Sequence, residues 1–293
     1  MGAPMARNLH RAGLLAGVWN RTRDKAAALA RELQSQSHEG LPGLAAACDA
    51  IVICVSADDD LRTVIAGLKP GLKPNTIVID CSTVGAGTAR DIHAQLSAVG
   101  VGFLDCPVSG GVEGARAATL AIMAGGDEAV FARARPLLEK LGRTVAYMGA
   151  SGAGQATKST NQIMCAGIIQ AVAEAMAFAK AEGLPLERVI DTLGKGAGSS
   201  WYFVNRAPFM ANNRFPAGFR VRLHDKDLRI CRDMAAKRGA VLPVVESTLE
   251  SYEQLIALGF ADEDISAIYR LTSKLFPPAA RAGAASANAA REP

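Results

Sequence analysis

Short β-rich runs alternate with stretches of helical period through the first half of this chain, and then the strand signals stop. Candidate strands are Ala16–Asn20, Ala50–Val55, Thr76–Asp80, Gly102–Asp105, Leu120–Ala124 and Thr144–Met148. Helical patterns such as Thr22–Gln34, Gly85–Val99 and Glu128–Leu141 lie between most of them. Such alternation predicts βαβ units and a mostly parallel sheet. Runs like Ile51–Val55 and Thr76–Asp80 show little polar alternation, as befits strands covered on both faces.

After Gly149 an Ala-rich helical pattern runs from about Gly154 to Glu182, where Gly183 ends it and Pro185 can open the next helix. Further helices fit Leu186–Leu193, Arg222–Arg238, Pro243–Leu258 and Asp262–Leu275. The expected organisation is therefore an α/β Rossmann-like domain over 1–149, an all-α substrate and oligomerisation domain over 150–276, and a disordered tail over 277–293, rich in Ala and Pro. The helical half carries more apolar helix than a small domain can bury, which predicts a homodimer or homotetramer.

Composition narrows the functional class. The chain holds 32 Lys and Arg against 28 Asp and Glu, for a net charge of +4, and the basic residues are scattered. No run of them marks a nucleic-acid or membrane surface, and a small anionic ligand suits the local positive charge better. The six cysteines form no C-x-x-C pair and have no His at metal-ligand spacing. They read as buried free thiols in a reducing cytoplasm, with no metal site. No signal peptide or membrane-spanning run is visible, which predicts a soluble cytoplasmic protein.

The first residues read as a cofactor site met in mid-motif. A dinucleotide-binding fold begins with a strand, a G-x-G-x-x-G turn and a helix whose N-terminus holds the pyrophosphate. Here a helix and the next strand are recognisable, but the first strand and the first two glycines are absent, so Gly2 can only be the last glycine of such a fingerprint. Residues upstream of Met1 are therefore expected in the native chain. After the strand come Asn20, Arg21 and Thr22, with no acid until Asp24. An Arg at that point suits a 2′-phosphate, whereas NAD-binding proteins usually place a carboxylate there. NADP is expected, with NAD the less favoured coenzyme.

Three segments carry a resemblance when taken in order: Gly2–Leu9 (GAPMARNL), Asp105–Gly111 (DCPVSGG) and Gly152–Gln162 (GAGQATKSTNQ). A weaker fourth runs from Gly218-Phe219 to Lys226-Asp227-Leu228. Together they resemble the β-hydroxyacid dehydrogenase family, which includes 3-hydroxyisobutyrate dehydrogenases, tartronate semialdehyde reductases and glyoxylate/succinic semialdehyde reductases. The resemblance implies that Lys158 is the general acid and base. It implies that Ser109, Gly110 and Gly111 hold a substrate carboxylate, that Asn161 and Gln162 orient substrate or lysine, and that Gly2, Ala3, Thr83 and Lys226 lie along the coenzyme. Val55 and Ser56 also fall on the coenzyme edge, although the family commonly has Leu-Pro there; its usual Asn-Asn pair is here Asn161-Gln162. The residues agree with these roles on their own terms. Two glycines after a serine let backbone N–H groups turn toward an anion, and Lys158, Asn161 and Gln162 share one helix face at i, i+3 and i+4. Lys226 could instead form a surface ion pair with a nearby Asp such as Asp225, and Trp201 could wall a pocket or simply fill core.

The implied reaction is hydride transfer between a nicotinamide and a small carboxylated aldehyde, ketone or hydroxyacid, Lys158 supplying or removing the proton. An imine reductase on the same architecture is one alternative; such enzymes generally depart from lysine at the position of Lys158. A non-catalytic oligomeric binding module is another.

Overall fold

The computed structural model describes residues 1–276. They gather into two compact units, one of Met1–Met164 with Leu223–Leu249, the other of Cys165–Arg222 with the residues from Glu250 onward.

The first unit opens with α1 (Gly2–Arg11), β1 (Gly17–Val18), α2 (Arg23–Leu33), β2 (Gln36–Ser37) and α3 (Leu41–Ala47). Next come β3 (Ala50–Ile53), α4 (Asp58–Leu68), β4 (Ile77–Asp80), α5 (Ala86–Ser97) and β5 (Gly102–Asp105). Then β6 (Val108–Ser109), α6 (Gly111–Ala117), β7 (Leu120–Gly126), α7 (Glu128–Leu138) and β8 (Gly142–Gly149) complete the α/β part. The main sheet runs β3-β4-β5-β7-β6, with β8 added on β7, while β1 and β2 pair separately and in parallel. Strands β3, β4 and β5 are parallel and in register, Ile53 beside Asp80 and Asp80 beside Asp105.

Residue alternation along β4 feeds two cores. Ile77 and Ile79 pack with Met5, Leu9, Phe131 and Leu138 on one face; Val78 packs with Leu61, Ile65, Ile92 and Leu96 on the other. All four residues of β4 are buried, the two-sided burial that its apolar run Ile77–Ile79 predicts, with Asp80 buried at its end.

The sheet is mostly parallel, as expected, with the pairs β3–β4, β4–β5 and β7–β8 parallel, but β7 is antiparallel to both β5 and β6. Apolar periodicity carries no information about strand direction. Here the connection from β5 is filled by β6 and α6, not by a crossover helix covering the sheet, and β7 returns reversed.

Beyond Gly149 the described residues form helices and turns: α8 (Ala153–Ala181), α9 (Leu186–Leu193), α10 (Trp201–Ala211), α11 (Val221–Ala236) and α12 (Pro243–Ala257). The helix expected over 262–275 is instead a 3-10 turn at Ile265–Ile268 followed by the single turn α13 (Tyr269–Thr272). Asp264 explains the break: its carboxylate accepts from the backbone N–H of Phe219 and of Ser266, so the chain is tied down before it can wind regularly. Helix α10 had no place in the sequence reading, yet Ser200 caps it by accepting from the Phe203 N–H at 3.0 Å. In the same unit Trp201 stays 56% exposed, with the Arg206 guanidinium 4.8 Å above its ring. Helix α8 is long and apolar enough, by length and composition, to cross a membrane. Half of that apolar window is nonetheless buried within the protein, and buried polar side chains stud its first turns, as in the core helix of a globular unit. The tail expected over 277–293 lies outside the described residues.

Candidate active site

The level ends of β3, β4 and β5 set residues 54–56, 81–83 and 106–111 along one edge of the sheet. The Ser82 hydroxyl accepts from the Val55 N–H at 2.9 Å, joining two of these ends. The start of α1 meets the same edge: a Cβ added to Gly2 would sit 3.7 Å from that of Cys54. Asn20 accepts from the Thr22 N–H at 2.8 Å, and Arg21 forms an exposed 2.9 Å ion pair with Asp60 on the first turn of α4. Gly2, Ala3, Asn20, Arg21, Thr22 and Ser56 are exposed, and Val55 and Thr83 half-buried. On the substrate side, Ser109 ends β6, and Gly110 (φ 125°) and Gly111 (φ 64°) turn the chain through angles that side-chain-bearing residues avoid.

Two buried carboxylates lie beneath this edge. Asp105 accepts from the backbone N–H of Gly152 at 2.8 Å and of Gln155 at 3.0 Å, so the last residue of β5 receives the N-terminus of α8. Contact there is backbone to backbone: a Cβ on Gly154 would fall 2.3 Å from the Asp105 carbonyl oxygen and 2.4 Å from that of Met123. Gln155 reaches back to the loop after β4, donating to the Ser82 carbonyl at 2.8 Å and accepting from the Val84 N–H at 3.2 Å. Lys158 follows one turn later and is only 7% exposed.

Helix α11 closes over this face of α8. His224, fully buried, bonds through Nε2 with the Gln162 carbonyl at 3.2 Å. Asp227 accepts from the Gln162 carboxamide at 2.7 Å and pairs with Lys226 at 2.8 Å; Lys226 also donates to the Thr83 carbonyl. Asn161 donates to the Gln162 side-chain oxygen at 2.7 Å. One hydrogen-bonded chain thus runs from the Thr83 loop through Lys226, Asp227 and Gln162 to Asn161. The nearby carboxylate with which Lys226 pairs is Asp227, while Asp225 pairs with Arg229. Gln162 is 1% exposed, with its carboxamide taken up by Asp227 and Asn161.

The sequence reading gave no role to Asp80, Asp105, Gln155, His224 or Asp227, although Asp105, Gln155 and Asp227 stand in the segments that carry the resemblance. Gln155 could have been found, because it stands three residues before Lys158 on the same helix face. The carboxylates that end two apolar strands, Asp80 and Asp105, were a second signal, since a charge in such a run needs partners.

Burial governs the titration of this shell. It pushes Asp80 up to about 7, against the N–H and hydroxyl of Ser82, and leaves Oδ2 of Asp80 without a hydrogen-bond partner. Asp105 is raised by burial too, opposed by its backbone donors. Burial drives His224 down to about 4, with the Lys158 ammonium adding to the effect. Burial likewise raises the thiols of the register neighbours Cys54, Cys81 and Cys106, which leaves them poor nucleophiles.

The two shifts pull stability in opposite directions. Folded Asp80 keeps a proton that the unfolded chain releases, so its contribution is lost as pH rises from about 4 to about 7. Folded His224 refuses a proton that the unfolded chain accepts, so stability is lost as pH falls from 6.5 to about 4. Asp80→Asn keeps the neutral shape and removes only the first limb. Its unfolding free energy relative to the unsubstituted protein should rise by about 1.4 kcal/mol per pH unit between pH 4.5 and 6.5. Urea unfolding at several pH values measures this, and a flat difference would show that Asp80 is ionised throughout.

A cavity of about 460 Å3 lined by Pro4, Arg7, Asn8, Arg11 and Arg116 shares no residue with this cluster. Arg11 and Arg116 stand in the last turns of α1 and α6, where cations offset the helix dipole.

Both parts of the chain match known families. Residues 1–149 match the family described as the NAD binding domain of 6-phosphogluconate dehydrogenase. Residues 152–272 match the NAD-binding family of NADP-dependent 3-hydroxyisobutyrate dehydrogenase. The chain is 37% identical to 2-hydroxy-3-oxopropionate reductase of Escherichia coli, over 92% of each protein. It is 32% identical to an NAD-dependent L-serine dehydrogenase of Pseudomonas aeruginosa, over 95% of each. The solved structure of 3-hydroxyisobutyrate dehydrogenase from Mycobacterium tuberculosis with L-serine superposes with a TM-score of 0.85 at 34% identity, covering 92% of this chain and 95% of that one.

Proposed function

The chain belongs to the β-hydroxyacid dehydrogenase family, and we propose that it is an NADP(H)-preferring enzyme that interconverts small β-hydroxyacids with the matching semialdehydes or 2-oxo acids, Lys158 moving the proton. Family membership makes it an NAD(P)-dependent oxidoreductase; the coenzyme preference, the proton carrier and the substrate range are our reading. The observation that carries it is Lys158 itself, buried on the first turns of α8, on the helix face that also bears Gln155 and Gln162.

The residues along the sheet edge suit a dinucleotide. Helix α1 starts with no side-chain cap and no acid in its first turn, so its free N–H groups can receive a pyrophosphate. Asn20, Arg21 and Thr22 suit a 2′-phosphate, and Val55, Ser56, Thr83 and Lys226 lie along the remaining edge. The nicotinamide, when bound, supplies or accepts the hydride. Ser109, Gly110 and Gly111 hold the substrate carboxylate through the hydroxyl and turned backbone N–H groups. Asn161 contacts substrate, and Gln162 braces it through their shared hydrogen bond. The Lys158 ammonium polarises the carbonyl and donates its proton to the oxygen, or in oxidation the amine takes the hydroxyl proton. His224 stays neutral through burial and brings no competing charge to this exchange. Six free thiols fit a reducing, cytoplasmic setting. Apolar residues left exposed in the second unit, among them Leu193, Val204 and Leu258, suit a homodimer or homotetramer.

A panel of glyoxylate, tartronate semialdehyde, succinic semialdehyde and 3-hydroxyisobutyrate with NADPH/NADP+ and NADH/NAD+ tests the reading. No turnover of any member would reject it. The coenzyme preference has its own test. The exposed Arg21–Asp60 pair is worth only about 0–1 kcal/mol, so a phosphate can displace Asp60 at small cost. Arg21→Ala should weaken NADPH binding about tenfold, near 1.4 kcal/mol, and leave NADH unchanged. Equal changes for both coenzymes in a fluorescence titration would remove Arg21 from phosphate recognition.

A further inference from the structure

Gln155 is fully buried and satisfies backbone groups on both sides of Thr83. Its side-chain nitrogen donates to the Ser82 carbonyl at 2.8 Å, and its side-chain oxygen accepts from the Val84 N–H at 3.2 Å. Its own backbone N–H is held by Asp105 at 3.0 Å, fixing the helix turn from which the side chain departs. Lys226 grips the Thr83 carbonyl from α11, so the loop is held from two helices. Lys158 stands three residues after Gln155 on the same face of α8. A carboxamide suits this place because it presents one donor and one acceptor in a fixed plane, matching a carbonyl and an N–H two residues apart.

We propose that Gln155 is a positioning residue: it clamps the loop carrying Thr83 to the helix carrying Lys158, so that the coenzyme edge and the proton-transferring group keep one fixed separation. This inference rests on the roles given above to Lys158 and Thr83. Alignment of reacting groups is costly to lose, and a shift near 1 Å can slow a reaction about a hundredfold. A glutamine that only satisfied buried polar groups would affect stability and leave coenzyme affinity and turnover alone.

Two variants separate these roles. Gln155→Met keeps the length and loses both bonds. Gln155→Glu keeps the acceptor for Val84, but can donate to the Ser82 carbonyl only when the introduced carboxyl is protonated, which burial favours as pH falls. Thermal midpoint, NADPH dissociation constant and turnover at saturating coenzyme are measured for each, beside Lys158→Ala. The clamp predicts that Gln155→Met raises the NADPH dissociation constant at least fivefold and lowers turnover at least tenfold, whereas Lys158→Ala lowers turnover alone. It predicts that the ratio of Gln155→Glu to unsubstituted turnover climbs at least fivefold from pH 8 to pH 6. Should the unsubstituted protein turn over no member of the substrate panel, the enzymatic reading fails, and the NADPH dissociation constants of both variants across that pH range still decide the clamp. A lowered thermal midpoint with affinity and turnover within twofold of the unsubstituted protein would overturn it. So would a pH-independent Gln155→Glu ratio, which decides the matter if Gln155→Met does not fold.

Discussion

Lys158→Ala should lower turnover at least a hundredfold while leaving the NADPH dissociation constant within about twofold. The lower bound is the usual yield of a positioned general acid, and a hundredfold corresponds to about 2.7 kcal/mol of barrier. Coenzyme affinity should survive because the residues along the sheet edge belong to α1, the strand ends and α11, whereas Lys158 stands on α8. Lys158→Arg makes the sharper comparison. It keeps the positive charge but cannot release its proton at working pH, so it should be nearly as slow as alanine in the oxidative direction. Steady-state kinetics in both directions, with fluorescence titration of coenzyme, check both variants. Near-normal turnover in either direction by Lys158→Ala would remove the lysine from the chemistry.

Gly154→Ala should be the most damaging small substitution in the protein. The added methyl would sit 2.3 Å and 2.4 Å from two backbone carbonyl oxygens, those of Asp105 on β5 and Met123 on β7. No side-chain rotation relieves a clash with central strands, so the first turn of α8 must lift away from the sheet. Lifting it breaks the bonds from Gly152 and Gln155 to Asp105 and leaves a buried carboxylate short of donors. The expected loss is about 3–5 kcal/mol of stability, the range of substitutions that overpack a site and strand a buried charge. Any folded fraction should also lose activity, because Lys158 rides on the displaced turn. Gly87→Ala in α5 is the control, since a Cβ there meets nothing within 4 Å. It should stabilise by up to about 1 kcal/mol through helix propensity. Urea unfolding of both measures the contrast, and equal stabilities would mean that α8 does not dock as tightly as the backbone contacts require.

How far the sequence announced this protein depends on the kind of information each feature needs. The strand Gly102–Asp105 and the helix Leu186–Leu193 coincide with their sequence patterns, because length, period and flanking breakers define them locally. The direction of β7 was not legible, since an apolar run reads the same either way. Helix α10 went unread because Pro208 interrupts its pattern, although Ser199-Ser200 offered a capping signal at its start. In the candidate site, Lys158 and the Ser109-Gly110-Gly111 turn stood out as motif residues. Asp105, Gln155 and Asp227 stood in the same segments but drew no role, since their work is done with backbone groups and side chains distant in sequence: Gln155 reaches Ser82, and Asp227 reaches Gln162. Pairing partners that far apart leave no local period to read.

The first unit is discontinuous, with α11 returning to it only after Cys165–Arg222 has formed part of the other. On the ribosome, Lys158 and Gln162 therefore emerge well before His224 and Asp227 exist to cover them. A nascent chain halted at Arg222 carries the sheet and the start of α8 without the α11 side chains that bond to Gln162 in the finished fold. A chain that ends between Gly149 and His224 therefore holds every strand of the sheet but lacks His224 and Asp227, the two residues of α11 that bond to Gln162.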